Sequence, residues 1–534
     1  MAQLVESQFR NNGCVVSYCP IASAIGKRVL NEGGNAVDAA AAVAFALAVT
    51  YPQAGNIGGG GFMMIHLDGG ATHFLDYREI SPRNATPQIY EDPEASVLGA
   101  RAAAVPGTVA GLAEALARFG RWSWDRVVSL CIPLAEAGTW VTTRQGAAYQ
   151  VYEPELERYP STREAFFIAG RVPAPGHLVI SPDLARTYRE LAEDGPDAFY
   201  RGRVANLIES EVRRGGGCLD LEDLASYRPV WREPVLTEFR THRLYTSPLP
   251  STGGFVIKQT IDLIEGVGGQ YLPFGSPEYV VLMTRAFRAA YWLRRAIGLD
   301  PDHLDEQQAK TIAELFATKI DLDTVEDELL NAPLSAAASR AKVASPTRST
   351  THFCVLDRDG NAVSNTYSLN TLFGAKLVVS GGGFLLNNSM DDFYLGNDRA
   401  NWYSLVDGDA NLVRGGRRPV SSMAPTLVSH NGRVRLIIGG SGGPRIPTMI
   451  AQILLSIDEL SLLEAMQTPR IHHQYTPETV LFEPGTPETI LAALSRSGFH
   501  LREQRALGIG AGIKWIPETN ELMAVLDPRF GTQI

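Results

Sequence analysis

The sequence predicts an α+β protein in which layers of helices pack on antiparallel β-sheets. Two observations support this fold class. Helical patterns dominate the middle of the chain, from about residue 107 to 340, and strand patterns dominate the last third. With 534 residues, the chain is long enough for a large core and for two to four domain-sized units.

The first third of the chain is predicted to be mostly helical after a short strand. Cys14 to Ser17 is extended, and Pro20 begins a helix that reaches Leu30 and ends at Gly33 and Gly34. Asn35 can cap the next helix, Ala36 to Val49, which is apolar on every side and therefore buried. Two strands are predicted to follow, at Phe62 to Leu67 and Thr72 to Tyr77.

The remaining elements divide at a polar segment. The predicted helices before it are Thr108 to Phe119, Ser123 to Ala137, Pro182 to Leu191 and Glu278 to Ile297. The segment Thr324 to Ser345 has few large apolar residues and is predicted to be an exposed linker. The predicted elements after it are the strand regions Thr350 to Leu369, Lys376 to Leu386, Thr426 to Gly439 and Gly512 to Leu526 and the helix Pro447 to Ile457.

Composition excludes several classes of protein. A net charge of −10 without a basic run makes nucleic acid and anionic membranes poor partners. The five cysteines are scattered without a C-x-x-C pair, which favours free, mostly buried thiols over disulfides or a zinc site. The longest apolar run, Ala39 to Val49, is shorter than the ~20 residues of a membrane span. The N-terminus does not resemble a signal peptide, so the chain as given is predicted to be cytoplasmic, or periplasmic or secreted if an export signal was removed.

One predicted hairpin brings two hydroxyl groups together. The loop Arg358-Asp359-Gly360, with glycine where a positive φ is needed, joins two strands. If Asp357 faces Asn361, then Thr350 lies opposite Ser368. A threonine hydroxyl needs a base to become a nucleophile, and the α-amine of an N-terminal threonine, with a pKa of ~7.7–8.0, can serve. Thr350 acquires that amine only if the bond after Ser349 is cut. Taken alone, the pattern is more typical of the start of a threonine-rich strand.

A set of longer motifs resembles the γ-glutamyltranspeptidase (glutathione hydrolase) family over nearly the whole chain. The motifs, in chain order, are Gly33–Ala40 (GGNAVDAA), Gly58–Phe62 (GGGGF), Asp76–Glu79 (DYRE), Ala104–Gly111 (AVPGTVAG), Thr350–Phe353 (TTHF), Asp359–Val363 (DGNAV), Leu385–Phe393 (LLNNSMDDF), Pro419–Thr426 (PVSSMAPT) and Asp527–Gly531 (DPRFG).

The resemblance implies a four-layer αββα N-terminal-nucleophile hydrolase fold, with two stacked antiparallel sheets between helical layers. It implies a precursor that cuts itself between Ser349 and Thr350 into a large subunit, 1–349, and a small subunit, 350–534. The implied activity is cleavage of glutathione and other γ-glutamyl amides through an ester on Thr350. The acyl group passes to water, an amino acid or a peptide, and neither cofactor nor metal is implied.

The resemblance also assigns substrate contacts. Arg78 matches the arginine that grips the γ-glutamyl α-carboxylate, for which its fork of N–H donors is suited. Ser421 and Ser422 match a serine pair at the same carboxylate. Asn370 and Asp392 match contacts to the α-amino group.

Four more positions complete the implied site. Gly442 and Gly443 match the pair whose backbone N–H groups support the oxyanion. Ser368 stands where the family usually has threonine, and it keeps the hydroxyl. Ser389 stands where the family commonly has Gln or Glu beside the α-amino group, so weaker recognition of that group is expected.

Three alternatives remain open from sequence. Gly439–Gly443 matches the G-x-S-x-G nucleophile elbow, with His472, His473 or His500 as base, but the alternating strands and helices of that fold are missing from the first half. A scaffold that never matures is a second alternative, and the presence of both Thr350 and Arg78 argues against it. The third is a related acylase that acts on glutaryl-like or other small amides.

Overall fold

In a computed structural model of the single chain, which describes residues 3–9, 13–331, 349–396, 400–405 and 408–531, two antiparallel β-sheets lie face to face between helical layers. Its strands are β1 Gln3–Phe9, β2 Cys14–Ser17, β3 Gly60–His66, β4 Thr72–Tyr77, β5 Thr139–Trp140, β6 Leu178–Val179, β7 Val230–Arg232, β8 Val235–Phe239, β9 His242–Thr246, β10 Thr350–Leu356, β11 Ala362–Ser368, β12 Thr426–His430, β13 Arg433–Ser441, β14 Ile471–His472, β15 Val480–Phe482, β16 Leu501–Glu503, β17 Ile509–Ile516 and β18 Glu521–Leu526.

The larger sheet has the strand order β1-β18-β17-β13-β12-β9-β8, and the smaller has the order β2-β10-β11-β3-β4-β7. Strands β10 and β11 of one sheet pack against β13 of the other. The core therefore lies between the two sheets, and the four-layer αββα prediction is confirmed.

The helices form the two outer layers and the peripheral segments. They are α1 Pro20–Asn31, α2 Ala36–Thr50, α3 Thr108–Phe119, α4 Trp124–Ser129, α5 Ile132–Ala137, α6 Thr143–Leu156, α7 Pro160–Phe166, α8 Pro182–Asp194, α9 Asp197–Tyr200, α10 Arg203–Arg214, α11 Leu221–Ser226, α12 Gly253–Gly266, α13 Pro277–Arg294, α14 Glu306–Ala317, α15 Leu322–Asn331, α16 Arg445–Leu455, α17 Leu462–Gln467 and α18 Glu488–Arg496. Helix α2 packs on β10 and β11, while α16 packs on β13. Among the residues that the structure describes, none of the helices combines the length and apolar character that a membrane crossing requires.

Helix α2 shows how the sequence sets this architecture. The side chain of Asn35 accepts hydrogen bonds from the N–H groups of Val37 and Asp38, and the carboxylate of Asp38 accepts one from the N–H of Asn35. This capping box satisfies N–H groups that the first helical turn leaves unpaired. Every residue of α2 is buried, as its uniform apolar character predicts.

The β10–β11 hairpin has the predicted register. Thr350 pairs with Ser368, and Gly360 in the connecting loop has a φ of 97°. Because β10 and β11 occupy the middle of the smaller sheet, the end of this hairpin lies deep in the molecule. Both Thr350 and Ser368 are buried.

Three predictions of local structure were wrong. The helix expected at Ser123–Ala137 is divided into α4 and α5, because Pro133 lacks the N–H needed to continue a helix. Lys376–Leu386 is no strand but an irregular segment with one β-bridge, since Gly381 and Gly383 have positive φ angles. The first part of the expected linker is helical in α15, and 332–345 lies outside the described residues.

The cysteines are mostly buried, as predicted. Of the five, all of which lie in the described part of the chain, none forms a disulfide, four are buried, and Cys218 is partly exposed.

Candidate active site

The hydroxyl of Thr350 meets a second hydroxyl at the end of the hairpin. Its Oγ1 lies 3.2 Å from Oγ of Ser368. The Ser368 oxygen also accepts a hydrogen bond from the N–H of Asn370 at 2.9 Å, so its own hydrogen can be donated to Thr350. The hairpin register thus supplies Thr350 with an oriented hydroxyl neighbour.

A small cavity of about 30 Å³ is lined by Thr350 and by most of the other predicted site residues. The predicted residues that line it are Arg78, Thr350, Ser368, Asn370, Asp392, Ser421, Ser422 and Gly443. Among the described residues, the lining includes neither Gly442, which adjoins Gly443, nor Ser389.

Arg78 follows β4 and is fixed along its whole length. Its N–H donates to Asp76 at 2.8 Å, and its carbonyl accepts from the hydroxyl of Tyr227 at 2.9 Å. In the guanidinium, Nη1 donates to Glu79 at 3.0 Å and Nη2 donates to Asp392. Burial alone would lower the pKa of Arg78, but the two carboxylates outweigh it and raise that pKa. The guanidinium is therefore held in place by the protein's own groups.

Asp392 ends a single 3-10 turn, Ser389–Asp392, beside Arg78. Burial raises the pKa of its carboxyl to about 7, although the nearby Arg78 opposes this shift. Asp392 thus changes charge near neutral pH while it faces the cavity.

Asn370 and Tyr403 close another side of the cavity. Asn370 has a φ of 75°, and its side-chain amide donates to the carbonyl of Asn388 at 3.0 Å. The hydroxyl of Tyr403 donates to the carbonyl of Asn370 at 2.8 Å and lies 2.8 Å from Oγ of Ser349. Sequence reasoning missed Tyr403, because a single aromatic residue outside the predicted elements carries no periodic signal.

The two glycines form the sharp turn between β13 and α16. Gly442 and Gly443 have φ angles of 138° and 59°, which side chains rarely allow. A Cβ on Gly443 would lie 2.6 Å from the ring of Tyr403. Glycine is therefore required for the backbone to approach the cavity this closely.

Ser389 lies behind the cavity wall and contacts an acid that sequence reasoning had not selected. Its hydroxyl donates to Oε1 of Glu79 at 2.8 Å, and both residues are 0% exposed. The sequence signal for Glu79 was its place directly after Arg78 in the DYRE segment.

The nucleophile-elbow alternative is wrong. Ser441 accepts a hydrogen bond from the hydroxyl of Tyr18 at 3.1 Å and is buried at the end of β13. The two ring nitrogens of His472 contact Thr448 and Gln474. The two main sheets are antiparallel, whereas the elbow belongs to a mostly parallel fold.

Two stacked antiparallel sheets between helices, with a threonine at the start of a central strand, define the N-terminal-nucleophile hydrolase fold. The family model described as gamma-glutamyltranspeptidase matches residues 22–534. The chain belongs to the gamma-glutamyltranspeptidase family.

Individual relatives carry two kinds of name. A glutathione hydrolase proenzyme of Escherichia coli (strain K12) is 37% identical over 97% of this chain and 90% of that protein. An acylase ACY 1 proenzyme of Pseudomonas sp. (strain SE83) is 32% identical over 95% of this chain and 90% of that protein. The crystal structure of a cephalosporin acylase from Bacillus halodurans superposes with a TM-score of 0.83 at 25% identity, covering 98% of this chain and 95% of that one.

Proposed function

We propose that the protein is a self-processing γ-glutamyl hydrolase and transferase that cleaves glutathione and other γ-glutamyl amides. The observation that carries the proposal is the shared cavity, in which the Thr350 hydroxyl faces the same space as the Arg78–Asp392 ion pair. The name of the Escherichia coli relative, glutathione hydrolase proenzyme, supports the same activity and the precursor form.

Maturation uses the hydroxyl of Thr350 on its own peptide bond. Oγ1 attacks the carbonyl carbon of Ser349, the C–N bond breaks, and an ester joins the two residues. Water then hydrolyses this ester, which leaves a carboxylate on Ser349 and a free α-amine on Thr350. The products are the subunits 1–349 and 350–534.

The released α-amine then serves as the base for the nucleophile. It takes the proton of the Thr350 hydroxyl as Oγ1 attacks the γ-carbonyl carbon of the donor. The N–H groups of Gly442 and Gly443 stabilise the oxyanion, and the amine leaving group departs with a proton. Water or an amino group of an amino acid or peptide then cleaves the acyl ester on Thr350.

Donor recognition is an exchange of ion pairs. The α-carboxylate of a γ-glutamyl donor replaces Asp392 on Arg78, and the α-ammonium group pairs with the released Asp392. Ser421 and Ser422 border the same cavity and add hydroxyl contacts to the donor's α-carboxylate. Asn370, which also borders it, contacts the α-amino group. The exchange conserves charge, so the donor enters without leaving a buried ion unpaired.

A glutaryl acylase is the second candidate, because two relatives carry acylase names. A glutaryl donor has the carboxylate but lacks the amino group. Its carboxylate would pair with Arg78 and leave the buried Asp392 without a cation. Burying an unpaired carboxylate is unfavourable in free energy at high pH, where Asp392 is ionised. This arrangement favours γ-glutamyl donors.

The proposal is tested by measuring kcat/KM for γ-glutamyl-p-nitroanilide and glutaryl-p-nitroanilide with the purified protein. We expect the γ-glutamyl compound to be the better substrate at pH 8. An outright preference for the glutaryl compound would make the acylase the leading function.

A further inference from the structure

A single turn of the chain holds Arg78 through two of its residues. Asp392, at one end of the turn Ser389–Asp392, accepts directly from Nη2 of Arg78. Ser389, at the other end, donates its hydroxyl to Oε1 of Glu79 at 2.8 Å. Oε2 of the same Glu79 carboxylate accepts from Nη1 of Arg78 at 3.0 Å. Both terminal nitrogens of the guanidinium are therefore tied to this turn.

The Ser389–Glu79 contact is enclosed on every side. Both residues are 0% exposed, and a Cβ on Gly60 would lie 2.7 Å from Oε2 of Glu79. The N–H of Ser389 is held by the side chain of Asn387 at 3.0 Å. The Ser389 hydroxyl is thus directed at Glu79 and away from the cavity that receives the donor.

We infer that Ser389 is a positioning residue that acts through Glu79 to orient Arg78 for the donor's carboxylate, and that it does not bind the α-amino group. This inference rests on the proposed γ-glutamyl activity. When a donor carboxylate displaces Asp392 from Nη2, Glu79 remains bonded to Nη1 and is itself held by Ser389. The guanidinium of Arg78 therefore keeps its orientation. The role differs from the amino-group contact that the family resemblance assigns to this position.

The two roles differ in which substrates they affect. A residue that orients Arg78 serves every donor with a carboxylate at that end, whether γ-glutamyl or glutaryl. A residue that contacts the ammonium group serves only the γ-glutamyl donor. The ratio of the two activities therefore distinguishes the roles.

The test is the Ser389→Ala variant with γ-glutamyl-p-nitroanilide and glutaryl-p-nitroanilide. We expect KM to rise about 3- to 10-fold for both compounds, with kcat changed less than about twofold and the ratio of their kcat/KM values retained. A loss confined to the γ-glutamyl compound, or no change at all, would overturn the inference. Failure of the parent protein to hydrolyse γ-glutamyl-p-nitroanilide would instead count against the proposed function.

A second variant tests Glu79, which lies between Ser389 and Arg78. Glu79→Gln should raise KM for both donors, and adding Ser389→Ala should cause little further loss, because a glutamine amide cannot accept from Ser389 and Arg78 at once and so already breaks the link between them. Independent, multiplying losses would contradict action through Glu79. Ser364→Ala is the matched control: this buried serine on β11 donates to the carbonyl of Ile438, and its removal should leave both KM values within about twofold of the parent.

Discussion

Asp392 is ion-paired with Arg78 inside the cavity that Thr350 lines. The group proposed to receive the donor's ammonium is therefore paired with the group proposed to receive its carboxylate. A donor with both charges replaces one ion pair with two, whereas a donor with one charge leaves a buried carboxylate behind. Selectivity for the α-amino group then depends on the charge of Asp392.

This dependence predicts that donor selectivity changes with pH. Burial raises the pKa of Asp392 to about 7, so the carboxylate is ionised above that pH and neutral below it. Above pH 7 it attracts the α-ammonium group and penalises a glutaryl donor; below pH 7 both effects fade. We expect the ratio of kcat/KM for γ-glutamyl- over glutaryl-p-nitroanilide to fall about 10-fold between pH 8 and 5.5.

Titration of the Thr350 amine affects the kcat/KM of both donors equally, so it does not change the ratio of the two values. Asp392→Asn is the control, because it removes the titrating group and should give a low ratio that does not vary with pH. A parent ratio that stays constant from pH 8 to 5.5 would show that Asp392 does not recognise the amino group.

Replacement of Arg78 tests the carboxylate contact. Arg78→Lys keeps the charge but loses the fork that donates to Glu79 and Asp392 together. Loss of a charge-assisted hydrogen bond is worth ~1.5–3 kcal/mol, so kcat/KM for γ-glutamyl-p-nitroanilide should fall roughly 10- to 150-fold. The same change at Arg83, an exposed residue paired with Asp220, should have little effect. Normal turnover by Arg78→Ala would remove Arg78 from the donor site.

Replacement of Ser368 tests the neighbour of the nucleophile. Its Oγ lies 3.2 Å from that of Thr350, so Ser368→Ala should slow both self-cleavage and turnover by about 10-fold or more. Ser368→Thr keeps the hydroxyl and should be tolerated. Band conversion on gels gives the cleavage rate, and p-nitroaniline release gives kcat. If the alanine variant matches the parent in both rates, the hydroxyl has no part in the chemistry.

The hairpin of the site was predictable from sequence, whereas the contacts around Arg78 were not. Strand periodicity and a three-residue loop fix the pairing of Thr350 with Ser368, because both are local features. The Ser389–Glu79 hydrogen bond joins residues 310 positions apart, and no local pattern encodes it. The strand predicted at Lys376–Leu386 is absent for a related reason. Its glycines adopt turn conformations, whereas the apolar residues around them are typical of a strand.

The proposed mechanism requires Thr350 to become an N-terminal nucleophile through self-cleavage. We expect the purified 57.9 kDa chain to separate into bands of about 38 and 20 kDa by residue share, and the Thr350→Ala variant to remain uncut and inactive.

N-terminal sequencing of the smaller band is the most direct measurement. Self-cleavage between Ser349 and Thr350 predicts that this band begins Thr-Thr-His-Phe, the residues from Thr350 to Phe353. A fully active protein that remains a single uncut chain, or a small subunit that begins at another residue, would contradict it.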